Sequence, residues 1–270
     1  MRAVRRTAAR ITAVALAVSP LVCCGSARPA SAATVVSGPF VEDFSGPAGS
    51  MPNPQYWSAD IGPSAEHGWE KGSLQTYTSA PDNVRLDGYG NLVIEARKTG
   101  DGFTSGRVVT RGKIAFPLGT LVARMKLPSG QGLWPAFWML GVNIDTVGWP
   151  GSGEVDIIEL INTGTRYNIA LHGPGADVES KGDIADLSAD FHNYWVTRRA
   201  DSITVGVDDV ALAHFTPESL PEGAPWVFSA PMFVLLNVAV GGHWPGPPDE
   251  STRFPAAMIV DYVSFEPEED

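Results

Sequence analysis

Gly151-Ser-Gly-Glu-Val-Asp-Ile-Ile-Glu-Leu160 places three acids, Glu154, Asp156 and Glu159, in an otherwise β-branched apolar run. Such a run predicts a buried or half-buried strand, where an unpaired carboxylate is costly. Side chains alternate faces along a strand, so Glu154 and Asp156 share one face, and Glu159, at an odd offset, is expected on the other. One β-bulge within Ile157-Ile158 absorbs the extra residue and returns Glu159 to the first face. All three acids then line one cleft.

That geometry suits cleavage of a glycosidic bond. Four effective intervals of about 3.3 Å put the two glutamate Cα atoms roughly 13 Å apart. Side chains leaning together bring the carboxyl groups near the ~5 to 5.5 Å used by retaining glycosidases, one acid acting as nucleophile and the other as acid/base. Asp156, shorter and between them, is suited to orienting Glu154 and setting the neighbouring pKa values. An edge strand with its acids in solvent, or a calcium site, would produce the same letters.

The flanking blocks are Gly132-Leu-Trp-Pro-Ala-Phe-Trp-Met-Leu-Gly141, Gly148-Trp-Pro-Gly-Ser-Gly153, Leu171-His-Gly-Pro174 and Val240-Gly-Gly-His-Trp-Pro-Gly246. In order and content they resemble glycoside hydrolase family 16, particularly its laminarinase-like branch with the bulged Glu-x-Asp-x-x-Glu motif, from about Phe40 to Phe265. The resemblance implies a nucleophile at Glu154, an assisting Asp156 and an acid/base at Glu159. One block departs from the family: in Trp69-Glu-Lys-Gly-Ser-Leu-Gln-Thr-Tyr77, Gly72 and Ser73 stand where relatives carry an Asn-Glu pair that helps hold the sugar.

Composition narrows the setting. Arg2, Arg5, Arg6 and Arg10 precede an apolar run from Ile11 to about Val22, and Pro29-Ala-Ser-Ala32 offers an Ala-x-Ala cleavage site, so residues 1–32 read as a secretory signal and 33–270 as one catalytic domain. Cleavage there removes both cysteines, leaving neither a disulfide nor a thiol nucleophile. It also removes five arginines and no acids, moving the net charge from −11 to −16. An acidic surface argues against nucleic acid and acidic polysaccharides as partners and is indifferent to a neutral glycan. No later apolar run is long enough to span a bilayer. The expected protein is secreted, extracellular and monomeric.

The rest of the chain reads as all-β. Val84-Arg-Leu86 and Asn91 to Ala96 flank Asp87-Gly-Tyr-Gly90, a hairpin signal. Leu121 to Leu127, Tyr194 to Arg198, Ser202 to Val207, Met232 to Val238 and Met258 to Phe265 read as further strands, and no long stretch keeps a helical apolar period. Thr34 to Gly38 is expected to be a loose arm. Many short strands imply a β-sandwich or barrel. The resemblance selects a concanavalin-like jelly roll of two curved antiparallel sheets, with sugar bound across the concave face.

Planar indoles offer sugar rings apolar contact and an N–H for a hydroxyl. Trp134, Trp138, Trp149 and Trp244 lie beside prolines, glycines or the acids and are candidate substrate contacts, whereas Trp57 and Trp195 read as core. His172 and His243 are candidate polar contacts, the former near the acid/base by analogy with the family. Arg97 reads either as a sugar contact or as a surface salt bridge. No cofactor is expected for catalysis. The resemblance further implies a structural calcium (Ca2+) at Asp43, Gly90 and Asp261, with Asp43 replacing the usual glutamate.

The expected activity is retaining endo-hydrolysis of a neutral β-linked polysaccharide, foremost β-1,3-glucan of the laminarin type. A β-1,3-galactan, a mixed-linkage β-1,3-1,4-glucan, transglycosylation, a non-catalytic carbohydrate-binding jelly roll and a structural cell-wall protein are the alternatives.

Overall fold

The computed structural model describes residues 33–63, 71–100 and 102–269. The proposed signal sequence and the start of the Trp69–Tyr77 block lie outside the described residues. Among these, strands predominate; the helical pieces are the single turn Ile144–Val147 and a 3-10 turn at Pro217–Ser219.

Two sheets form the body. The larger carries, in hydrogen-bonded order, Val210–Phe215, Ile203–Val207, His192–Arg198, Gly119–Lys126, Ala256–Pro267 and Leu92–Thr99, and then continues through shorter strands. The smaller runs Ala176–Asp183, Arg166–Gly173, Glu154–Glu159, Leu133–Gly141, Met232–Val240, Arg107–Val109 and Ser58–Ala59. Most pairings are antiparallel, which lets one face of a sheet carry polar groups while the other is packed. Two short pairings are parallel and depart from the all-antiparallel expectation: Gln75–Tyr77 with Gly102–Ser105, and Thr34–Val35 with Ile114–Ala115. The latter corrects the loose-arm expectation, because backbone bonds from Thr34 to Lys113 O and from Val36 to Ala115 O dock that segment.

The core lies between the sheets. Leu121, Ala123, Met125, Val260 and Val263 from the larger sheet and Phe137, Met139, Val155, Ile169, Leu171, Val234 and Leu236 from the smaller belong to one buried apolar cluster. Full burial of each such branched or aromatic side chain contributes about 1.5–3 kcal/mol. The predicted hairpin forms with Val84 opposite Ile94 and Leu86 opposite Leu92. Asp87 Oδ1 accepts the Tyr89 and Asn91 amides to close it. Trp57 is core, as expected. Trp195 is not: it lies half-buried, and its Nε1 donates to the Asp208 carbonyl at 2.9 Å.

Even positions of Leu133–Gly141 and odd positions of Met232–Val240 turn away from that core. There they form a second apolar cluster of Val109, Ala136, Trp138, Leu140, Phe233 and Leu235, with Trp134 packed against it. This apolar floor is what the acids stand on.

Candidate active site

The acid-bearing strand Glu154–Glu159 contains the irregularity its spacing predicts. Against Leu133–Gly141, Trp138 pairs with Asp156 and Phe137 with Ile158, so Ile157 has no partner. Against Arg166–Gly173, the two steps from Ala170 to Asn168 face the three steps from Asp156 to Glu159. Ile157 and Ile158 both remain in the inter-sheet core. Two consecutive apolar side chains are thereby buried on one side, and Glu159 emerges on the same face as Glu154 and Asp156.

All three carboxylates line one cavity of about 620 Å³, together with Trp134, Trp138, Trp149, His172 and Trp244. That volume falls in the range of ligand-binding clefts. The indoles divide into two kinds. Trp138 is buried and donates to Asn237 Oδ1 at 2.7 Å, making it part of the floor. Trp149 and Trp244 are about half exposed, at 49% and 48%, and present free ring faces at the rim. Trp134 donates to Glu159 Oε1 at 2.7 Å and meets Trp244 edge to face, with centroids 5.2 Å apart.

Each acid has its own electrostatic setting. Burial, and after it the like charge of Asp156, push the Glu154 carboxyl up to about 8. The His172 cation and the Trp149 N–H, 2.5 Å from Oε2, work in the opposite direction. Burial also raises Glu159 well above the ordinary carboxylate range, with Asp156 the largest like charge acting on it and Glu154 a smaller one. The aspartate is therefore the main repulsive partner of both glutamates. Glu154 faces His172 directly across the ladder, whereas Glu159 faces Asn168. With a cation opposite only the first glutamate, a shared proton favours Glu159.

His172 is placed by the hairpin after the acid-bearing strand. Its Nε2 lies 3.1 Å from Asp156 Oδ2 and its Nδ1 lies 3.1 Å from Asp177 Oδ1. A neutral imidazole has one N–H, so two carboxylate partners call for the imidazolium. Burial alone would lower its pKa; the bond and charge of Asp156, with Glu154 and Asp177, outweigh that and raise it to about 9. Sequence reasoning put this histidine near the acid/base, and the structure pairs it instead with Asp156 beside Glu154. Ligand-type atoms of Glu154, Asp156 and His172 lie within 4.8 Å of one another. They are already engaged with each other, with Asp177 and with Trp149.

A family model for glycosyl hydrolases family 16 matches residues 72–263. The chain belongs to that family. It is 38% identical over 240 residues to a β-glucanase of Rhodothermus marinus, an alignment covering 82% of this chain and 81% of the relative. Among solved structures it resembles the laminarinase catalytic domain of Thermotoga maritima MSB8, with a TM-score of 0.78, 36% identity and coverage of 86% of this chain and 98% of the other. It also resembles the endo-β-1,3-glucanase of Pyrococcus furiosus, with a TM-score of 0.77, 38% identity and coverage of 86% and 94%. This family 16 member is accordingly a glycoside hydrolase with a jelly-roll β-sandwich fold.

Two sequence-derived assignments in this family 16 chain need correction. Arg97 lies away from the cavity: its Nη2 is 2.6 Å from Glu95 and its Nε donates to the Asp82 carbonyl, so its surface salt-bridge reading holds. His243 is exposed and does not line the cavity. Its ring covers Gly72, where a Cβ would come within 2.9 Å of Cδ2, and its amide donates to the Lys71 carbonyl. Gly72 has φ 79°, so a side chain there would be strained as well as crowded. The residues of the implied calcium trio have their own partners. Gly90 lies beside the Asp43 carbonyl, but the Asp43 carboxylate accepts the Ser45 amide and Asp261 is paired with Arg124 Nη1 at 2.7 Å.

Sequence reasoning missed several lining residues: Lys71, Ala136, Ala170, Asp177, Glu179 and Asn237. Asn237 carried a usable signal, being the lone polar residue in the buried run Met232–Val240, the same anomaly that exposed the three acids. Asp177 and Glu179 sit in an alternating, surface-like strand with no such contrast.

Proposed function

We propose that this chain is a secreted, retaining endo-glycosidase that hydrolyses β-1,3-glucan of the laminarin type by double displacement. The observation that carries this reading is the bulge at Ile157-Ile158, which turns Glu154, Asp156 and Glu159 into one tryptophan-lined cavity. Names of relatives agree with a β-glucan substrate: a β-glucanase, and a glucan endo-1,3-β-glucosidase of Cryptopygus antarcticus.

Glu154 attacks the anomeric carbon while Glu159 gives its proton to the departing glycosidic oxygen. The resulting ester removes the Glu154 charge; Glu159, now ionised, takes a proton from the water that releases the sugar. Trp149 and His172 favour the ionised nucleophile, and the dry floor around Trp138 strengthens both effects. Asp156, held by His172, stands between the two glutamates and raises the cost of ionising Glu159 prematurely. Exposed faces of Trp149 and Trp244 suit the flat C–H faces of a neutral glycan.

Gly72, under the imidazole of His243, and Ser73, beside Gly242, support a second reading, a mixed-linkage β-1,3-1,4-glucanase with a differently shaped sugar site at that end. Incubation with defined β-1,3-, mixed-linkage and β-1,3-galactan oligosaccharides, following product mass and anomeric configuration by NMR, separates the two. Retained configuration with β-1,3-glucan products is expected; initial release of the inverted anomer would overturn double displacement, and cleavage confined to mixed-linkage chains would favour the second reading.

A further inference from the structure

Asn162 joins three segments through both its backbone groups and both its side-chain heteroatoms. It stands three residues beyond Glu159 with φ 68°, a left-handed conformation that asparagine tolerates better than most residues. Its amide donates to Leu133 O at 3.0 Å, and its carbonyl accepts from the Gly130 amide at 2.8 Å. Oδ1 accepts the Gly132 amide at 2.7 Å, while Nδ2 donates to the Pro245 carbonyl at 3.0 Å. Gln131 Nε2 donates to that same carbonyl at 2.9 Å and to Pro247 O at 3.1 Å. The segments so joined carry Glu159, Trp134 and Trp244.

Trp244 adjoins the pinned carbonyl in a loop made almost wholly of glycine and proline, Gly241 to Pro248. Its ring is half exposed, and its contact with Trp134 is the edge-to-face meeting described above. Trp134 in turn holds Glu159. We propose that Asn162 is a positioning residue: by fixing Pro245 it sets Trp244 against Trp134, and so fixes the aromatic wall that meets the sugar beside Glu159. The inference rests on reading this cavity as the glycan-cleaving site. Its physical basis is preorganisation, because a ring held in place before binding loses less freedom when substrate arrives.

Asn162→Gly is the decisive variant, since glycine keeps the left-handed backbone and removes only the two side-chain bonds. For laminarin-type glucan, KM should rise about five- to tenfold, on the scale of one or two lost hydrogen bonds, with kcat within about twofold. Gln131→Ala should move KM in the same direction by a smaller factor. In a Trp244→Ala background, Asn162→Gly should change KM by less than about twofold, because the ring it positions is gone. Independently of activity, the circular dichroism exciton couplet expected of the Trp134–Trp244 pair should weaken in Asn162→Gly while the amide I infrared band of the strands is unchanged. An equal rise in KM in both backgrounds, or an unaltered couplet, would overturn the proposal. If the wild type cleaves no β-glucan, the reading of the cavity fails, and the couplet alone then decides the role of Asn162.

Discussion

Trp149 Nε1 lies 2.5 Å from Glu154 Oε2, so one residue at the cavity rim both offers an exposed ring face and grips the proposed nucleophile. Ground-state binding and ionisation of the attacking group are therefore tied to a single side chain. Trp149→Phe keeps an aromatic face but deletes the donor. Because that donor lowers the Glu154 pKa, its loss should move the acid limb of the pH–rate profile to higher pH. Hydrogen bonds to charged groups are worth about 1.5–3 kcal/mol, which predicts a loss in kcat/KM of roughly ten- to a hundredfold. Steady-state kinetics across pH check both numbers; an acid limb that stays in place would mean that the bond does not tune the nucleophile.

His172 should titrate near pH 9, and Asp177 is one reason. Three acids act on it directly, Glu154 and Asp156 from the acid-bearing strand and Asp177 from the next strand, and Glu159, Glu179 and the Lys71 cation line the same cavity. In Asp177→Asn the histidine loses one of the charges that raise its pKa, so its NMR titration should shift to lower pH. His172→Asn removes the cation that lowers Glu154, and the acid limb of the pH–rate profile should again move upward.

Stability should fall as the solution becomes alkaline. Glu154 is raised in the fold from its ordinary value of 4.5 to about 8, so its contribution is present in full below about 4.5 and is lost as pH rises through about 8. His172, raised from 6.5 to about 9, contributes in the same sense: present below 6.5, lost through 9. Glu154→Gln cannot ionise and should be the more stable protein at pH 8, by about 1 kcal/mol or more, which is roughly 2–4 °C for a domain of this size. At pH 4 the two should melt together. Thermal unfolding at both pH values provides the comparison.

Removal of either glutamate should abolish turnover and leave the fold intact. Glu154→Ser and Glu159→Ala should lose several powers of ten, with at least about 10²–10⁴-fold attributable to general acid–base work in the latter. Far-UV circular dichroism should match the wild type, since neither carboxylate supports the core beneath it. Near-normal activity in either variant would contradict the assigned roles.

Strand positions were legible in the sequence wherever the apolar pattern was strong, as in the alternation of Gly119–Lys126 and the continuous apolar run of Met232–Val240. The bulge could be placed to the residue pair, because only an extra residue at Ile157-Ile158 reconciles three acids with one face. Short pairings such as Thr34–Val35 with Ile114–Ala115 were not legible, since two residues carry no period. Side-chain destinations were harder still. Arg97 is captured by Glu95 two residues earlier and by the Asp82 carbonyl, and His243 by the space over Gly72; the last two partnerships are fixed by neighbours that only the folded chain brings together. The clearest missed signal was Asn237, polar among aliphatics and bonded to Trp138 under the cavity.

Two of the indoles that touch the acids, Trp134 on Glu159 and Trp149 on Glu154, give this hydrolase built-in optical reporters. When either carboxyl gains or loses a proton, the charge at the end of an indole dipole changes, and the emission of that ring changes with it. The protonation state of the machinery thus has a luminescent readout that needs no dye, label or sugar.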